Sequence, residues 1–72
     1  MFSKEQFGQR LREVRKKSGE TQKSLAAVID VSPVQISEME SGKKTTTVEK
    51  VALICQHYNV SADYLLGLKD EP

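Results

Sequence analysis

The chain has no tryptophan, two prolines, one cysteine (Cys55), one histidine (His57) and no long apolar run. Each scarcity excludes something. One cysteine rules out an internal disulfide. One cysteine with one histidine leaves no cluster with metal-site spacing, so neither a metal nor a cofactor is expected. No segment approaches the ~18 apolar residues of a membrane span, and the N-terminus lacks the apolar stretch of a signal peptide. A soluble, cytoplasmic chain without a membrane partner is the expectation. No nucleophile–base pair or phosphate-binding glycine loop is visible, so no catalytic residue is assigned and no enzyme is expected. At 72 residues the chain is one domain near the lower limit for a self-sufficient core. Well-capped helices or a partner subunit must make up the difference.

The net charge of +1 says little, but its distribution says more. Lys4, Arg10, Arg12, Arg15, Lys16, Lys17 and Lys23 against Glu5, Glu13 and Glu20 give residues 1–23 a charge of +4. Asp30, Glu38 and Glu40 give residues 24–42 a charge of −3, and Lys43, Lys44 and Lys50 against Glu49 return residues 43–50 to +2. The two basic segments either place phosphate-binding charge on both sides of the acidic one or are ordinary solvated helix faces.

Caps and spacing predict five helices and no strand. Ser3 with Gln6 has the form of a capping box, and Phe7, Leu11 and Val14 make one apolar stripe that ends before Gly19. Glu13 and Lys17 are placed to pair along that helix. Thr21 caps a second helix with Leu25, Ala26 and Ile29 inward, stopped at Asp30, a residue that tolerates left-handed backbone. Ser32-Pro33-Val34-Gln35 is the sharpest start signal, with a serine cap, proline at the first helical position and glutamine at the third. Ile36 and Met39 are then inward, and Gly42 is the stop. Thr46 or Thr47 caps a fourth helix, with Val48, Val51, Ile54, Cys55 and Tyr58 on one face and His57 toward solvent. Ser61 caps a short fifth helix ended by Gly67, and residues 68–72 form a tail whose last residues are expected to fray.

Residues 22–42 carry the most information. Two short helices joined by Asp30-Val31-Ser32 must meet at a steep angle, with Val31 packed inward. The inward set leaves Pro33, Val34, Ser37, Glu38 and Ser41 facing outward, with Gln35 at the edge. Few of these are needed for folding. That is the layout of a helix-turn-helix, whose second helix enters a DNA groove.

In order and spacing, Gln22, Leu25-Ala26, Val31-Ser32, Ile36-Ser37, Glu40-x-Gly42, Val48-Glu49-Lys50-Val51, Ile54-Cys55 and residues 59–66 resemble the lambda-repressor and Cro-like (xenobiotic-response-element-like) helix-turn-helix family. The resemblance covers residues 4–67. It implies an all-α, compact five-helix DNA-binding domain and a transcriptional regulator, a repressor that binds a palindromic double-stranded operator. Thr21 and Gln22 would hold phosphates, as would Lys43 and Lys44, with Ser37 and Ser41 as lesser candidates. Ser32, Pro33, Val34, Gln35 and Glu38 would read base edges. Arg15 and Glu40 would form an ion pair between helices one and three. The family generally binds as a homodimer through its C-terminal part, which directs attention to Tyr64, Leu65, Leu66 and Leu68; these either close the core or pair two subunits.

The chemistry of the reading set is unusual. Pro33 and Val34 can make only apolar contacts, best suited to thymine methyls. Glu38 can accept from cytosine N4 or repel phosphates, and Gln35 can pair with adenine unless its cap role folds it back. No lysine or arginine stands on the reading helix. Few helix-read guanines, readout of groove shape, or a protein partner in place of DNA follow as alternatives. The last would make the chain an interaction or antitoxin-like module of the same fold.

Overall fold

Every helix starts at a serine or threonine whose side chain accepts the backbone N–H three residues on. The caps are Ser3, Thr21, Ser32, Thr47 and Ser61. Each removes one orphan donor from a helix start. The computed structural model describes all residues from Met1 to Pro72. Its elements are α1 (Lys4–Lys17), α2 (Gln22–Ile29), α3 (Pro33–Glu40), α4 (Val48–Tyr58) and α5 (Ala62–Leu65). The ends are equally defined: α2 and α4 terminate on left-handed Asp30 and Asn59, with φ of 58° and 55°. Their short polar side chains tolerate this region better than most L-residues do.

The core draws on all five helices: Phe7 and Leu11 from α1, Leu25, Ala26 and Ile29 from α2, Ile36 and Met39 from α3, Ile54 from α4, and Tyr64 and Leu65 from α5. Helix α1 crosses the end of α3 at Gly8. A methyl group there would lie 2.3 Å from Met39 O and 2.7 Å from Glu40 O, so only glycine lets the two backbones meet.

Several local expectations are corrected. Only half of the Ser3–Gln6 box forms, because the Gln6 side chain lies against Gly67 instead. Of the two threonines open in the sequence, Thr47 caps α4. Val48 leaves the predicted stripe and is 82% exposed. Glu13 accepts from the Tyr64 hydroxyl at 3.0 Å, so it faces α5. The tail is tied down: Arg10 lies over the Tyr64 ring, donates to Tyr64 O and to Lys69 O (2.6 Å), and pairs with Asp70. The Pro72 carbonyl accepts from Ser61 N at 3.0 Å.

Candidate nucleic-acid interface

The turn between α2 and α3 is held from both ends. Val31 N donates to Ala26 O, and Val31 packs half-buried on the core. From α4, Lys50 Nζ donates to Ile29 O at 2.8 Å and caps the end of α2 just before the turn. Sequence reasoning missed this lysine, because its partner is a carbonyl 21 residues away. The start of α3 closes as a full capping box. Ser32 Oγ accepts from Gln35 N (3.2 Å), and Ser32 N donates to Gln35 Oε1 (2.8 Å).

These constraints present one face of α3 outward. Pro33, Val34, Gln35, Ser37 and Ser41 are exposed, Val34 by 67%, and Glu38 is half-exposed. The following loop folds back on the helix, as Lys43 N and Lys44 N both donate to Glu38 O. Lys43 and Lys44 therefore stand at the margin of this exposed face, and Lys44 Nζ lies 3.8 Å from the Glu38 carboxylate. At the opposite margin Thr21 and Lys23 are exposed at the start of α2, where unpaired backbone N–H groups favour an anion. Ser32 and Ser37 remain open at the surface. Ser41 is exposed as well, and its hydroxyl donates to Glu38 O at 3.1 Å.

Behind α3 lies the brace. Arg15 Nε stands 2.6 Å from Glu40 Oε2 and Arg15 Nη2 stands 3.0 Å from Glu40 Oε1, a bidentate pair with side chains only 9% and 4% exposed. Gln22 Nε2 donates to the same carboxylate at 3.1 Å, which ties this predicted phosphate ligand into the brace. The hydrogen bond to Glu40 raises the Arg15 pKa against the opposing effect of burial. Arg15 Nη1 also donates to Glu20 O, and Glu20 begins a second cluster. The Tyr58 hydroxyl and Ser24 Oγ donate to its carboxylate, and His57 Nε2 lies 2.9 Å away. Burial alone would raise the Glu20 pKa, but the hydrogen bonds from Tyr58, His57 and Ser24 outweigh it and hold it below the usual range. Burial, then the bond to Glu20, pushes the Tyr58 phenol up. His57 thus has an acidic partner, which its separation of 37 residues from Glu20 hides in the sequence.

The predicted dimer residues divide. Tyr64 and Leu65 are 8% and 0% exposed, and the chain's own core takes both, so neither is offered to a second subunit. Leu66 is half-buried and Leu68 is 66% exposed. Beside Leu66 runs an open apolar groove of about 500 Å³ lined by Phe2, Val48, Val51 and Cys55. No helix is long and apolar enough to cross a membrane.

Against known proteins, the helix-turn-helix family HTH_3 matches residues 11–65. The HTH-type transcriptional regulator ImmR of Bacillus subtilis is 39% identical over 65 residues, which cover 90% of this chain and 50% of that protein. A second Bacillus subtilis protein, the uncharacterized HTH-type transcriptional regulator YobD, is 36% identical over 66 residues, covering 92% of this chain and 59% of its own length. The chain thus spans about half to three fifths of these relatives' length. Among solved structures, the P22 c2 repressor protein in complex with synthetic operator 9T superposes with a TM-score of 0.79 at 33% identity, over 83% of this chain and 91% of that one.

Proposed function

From a chain that belongs to the helix-turn-helix family, of the lambda-repressor and Cro-like kind, we propose a sequence-specific binder of double-stranded DNA that regulates transcription by occupying an operator in the cytoplasm. The observation that carries this reading is the geometry of α3. Its back is fixed by a buried bidentate ion pair, while its front is exposed and bounded by cations at one margin and a helix N-terminus at the other. A rigid helix with a free face and phosphate-binding margins fits a major groove.

In this reading Lys43, Lys44, Thr21 and the start of α2 set register on phosphates, with Gln22 and Ser37 beside them. Ser32, Pro33, Val34, Gln35 and Glu38 face base edges. Val34 presents two methyl groups, suited to thymine. Two copies in a homodimer, paired around Leu66 and Leu68, would place their α3 helices in successive major grooves about 34 Å apart, so the operator is palindromic. The relatives named as regulators, and the repressor solved on its operator, support this reading.

The test is binding to selected duplex DNA across a salt series. The wild type should select a palindromic site with salt-dependent affinity. Replacing Lys43 and Lys44 by alanine should weaken binding to all sequences alike and lower the slope of log K against log salt by about 2, two phosphate contacts at ~0.9 each. Affinity for a protein partner with no salt-dependent binding to duplex would replace this reading with that of an interaction module.

A further inference from the structure

One side chain does two things at the start of α3. The Ser32 backbone N–H can only donate, so the atom it meets at 2.8 Å must be the carbonyl Oε1 of Gln35. That contact decides which way the carboxamide is turned. Oε1 faces back to the cap; Nε2 carries two N–H donors and has no hydrogen-bond partner in the chain. Gln35 is exposed, follows Val34, and lines an open cleft of about 390 Å³ together with Glu38, Lys44 and Thr45.

A glutamine pairs with adenine by laying both ends of its amide along the base edge, Oε1 accepting from N6 and Nε2 donating to N7. Ser32 N takes one of the two lone pairs of Oε1 and fixes how the carboxamide is turned, which sets Oε1 back toward the cap and weighs against laying both amide ends along adenine. The end of the amide left without a partner is the donor, Nε2. In the major groove such a donor meets two adjacent acceptors on guanine, N7 and O6, and one on thymine, O4. On cytosine it meets another donor, N4. Adenine offers N7 but sets its own N6 donors beside it.

We propose, resting on the DNA-binding reading above, that Gln35 is a specificity-determining residue: its Nε2 reads a keto base edge, guanine before thymine, while its Oε1 holds the helix start. The hydrogen bond that caps α3 thereby also sets what α3 can read. A reading helix without lysine or arginine still acquires one guanine-directed donor.

The test compares the full chain with two variants. Gln35→Glu keeps an acceptor for Ser32 N and removes both donors. Gln35→Ala removes acceptor and donors together. Each protein is melted and then used to select sites from randomised duplex DNA. Gln35→Glu should melt near the wild type and Gln35→Ala below it. The wild-type site should contain one base pair per half-site with a guanine or thymine preference. Gln35→Glu should lose that preference by about tenfold, or turn it to cytosine, and leave the other pairs alone. If Gln35→Glu selects the same bases at every pair with only a uniform loss of affinity, Nε2 meets phosphate and the proposal is overturned. The same holds if the affected pair is adenine-selective in the wild type. If the wild type enriches no duplex at all, the DNA-binding reading fails and this inference falls with it.

Discussion

The two faces of α3 could hardly be treated more differently by the fold. Behind, Ile36 and Met39 are sealed in the core, and the Glu40 carboxylate takes three donors, two from Arg15 and one from Gln22. In front, Pro33, Val34 and Ser37 touch solvent. Stability is concentrated where it fixes the direction of the helix, and the outward residues are left free to vary. Substitutions behind α3 should therefore change folding and leave base preference alone, and substitutions in front, away from the Ser32–Gln35 cap, should do the reverse.

The sharpest break of that contrast lies at the brace. Glu40→Ala leaves the Arg15 guanidinium buried without its carboxylate, a change that costs about 3–5 kcal/mol for a buried pair. In a chain of this size such a loss approaches the whole margin of stability. Arg15→Ala strands Glu40 in the same way. The double variant should be less destabilised than the sum of the two, because removing both charges leaves no unpaired one. Melting curves of the four proteins decide it. Additive losses would show that the two charges do not depend on each other.

The front face provides the opposite case. Val34→Ala removes two exposed methyl groups, so its melting temperature should match that of the wild type, as expected of surface substitutions away from caps and clusters. Binding should weaken by ~1–3 kcal/mol at one base pair per half-site and show relaxed preference there. Site selection with the variant reads this directly. A loss spread evenly over all base pairs would mean that Val34 does not read a base.

These two expectations also mark how far the sequence could be read. Local chemistry was legible: five hydroxyl caps, the left-handed Asp30, and the Ser32-Pro33-Gln35 start all act within a few residues of themselves. The Arg15–Glu40 pair was legible only through family resemblance, since nothing local joins residues 25 apart. What escaped was tertiary. Gly8 is where α3 touches α1, a close approach that nothing local to the residue signals. Tyr64 and Leu65 read either as core or as a patch for a partner; Arg10 stacks on Tyr64 and both side chains complete the core. A short helix with several apolar residues looks the same in sequence whether its own chain or another covers it. His57 looked solitary because its carboxylate comes from the link between α1 and α2.

That last pair gives the smallest and most specific test of the contrast. The Glu20 cluster joins α4 to the start of α2, so it belongs with the supporting side of the molecule although it is partly solvated, its carboxylate side chain being 20% exposed. Its folded pKa lies below its ordinary value, since the donors from Tyr58, His57 and Ser24 outweigh the effect of burial. A depressed carboxylate contributes stability that is fully present above its unfolded pKa, about 4.3, and is lost as pH falls through the folded value. The wild type should therefore lose melting temperature below about pH 4, and Glu20→Gln should lose less over the same interval while starting lower at neutral pH. If the two proteins keep a constant difference from neutral to acid pH, the cluster does not stabilise the folded chain through the charge on Glu20. DNA selectivity measured at neutral pH should be the same for both proteins, because Glu20 lies outside the reading face of α3.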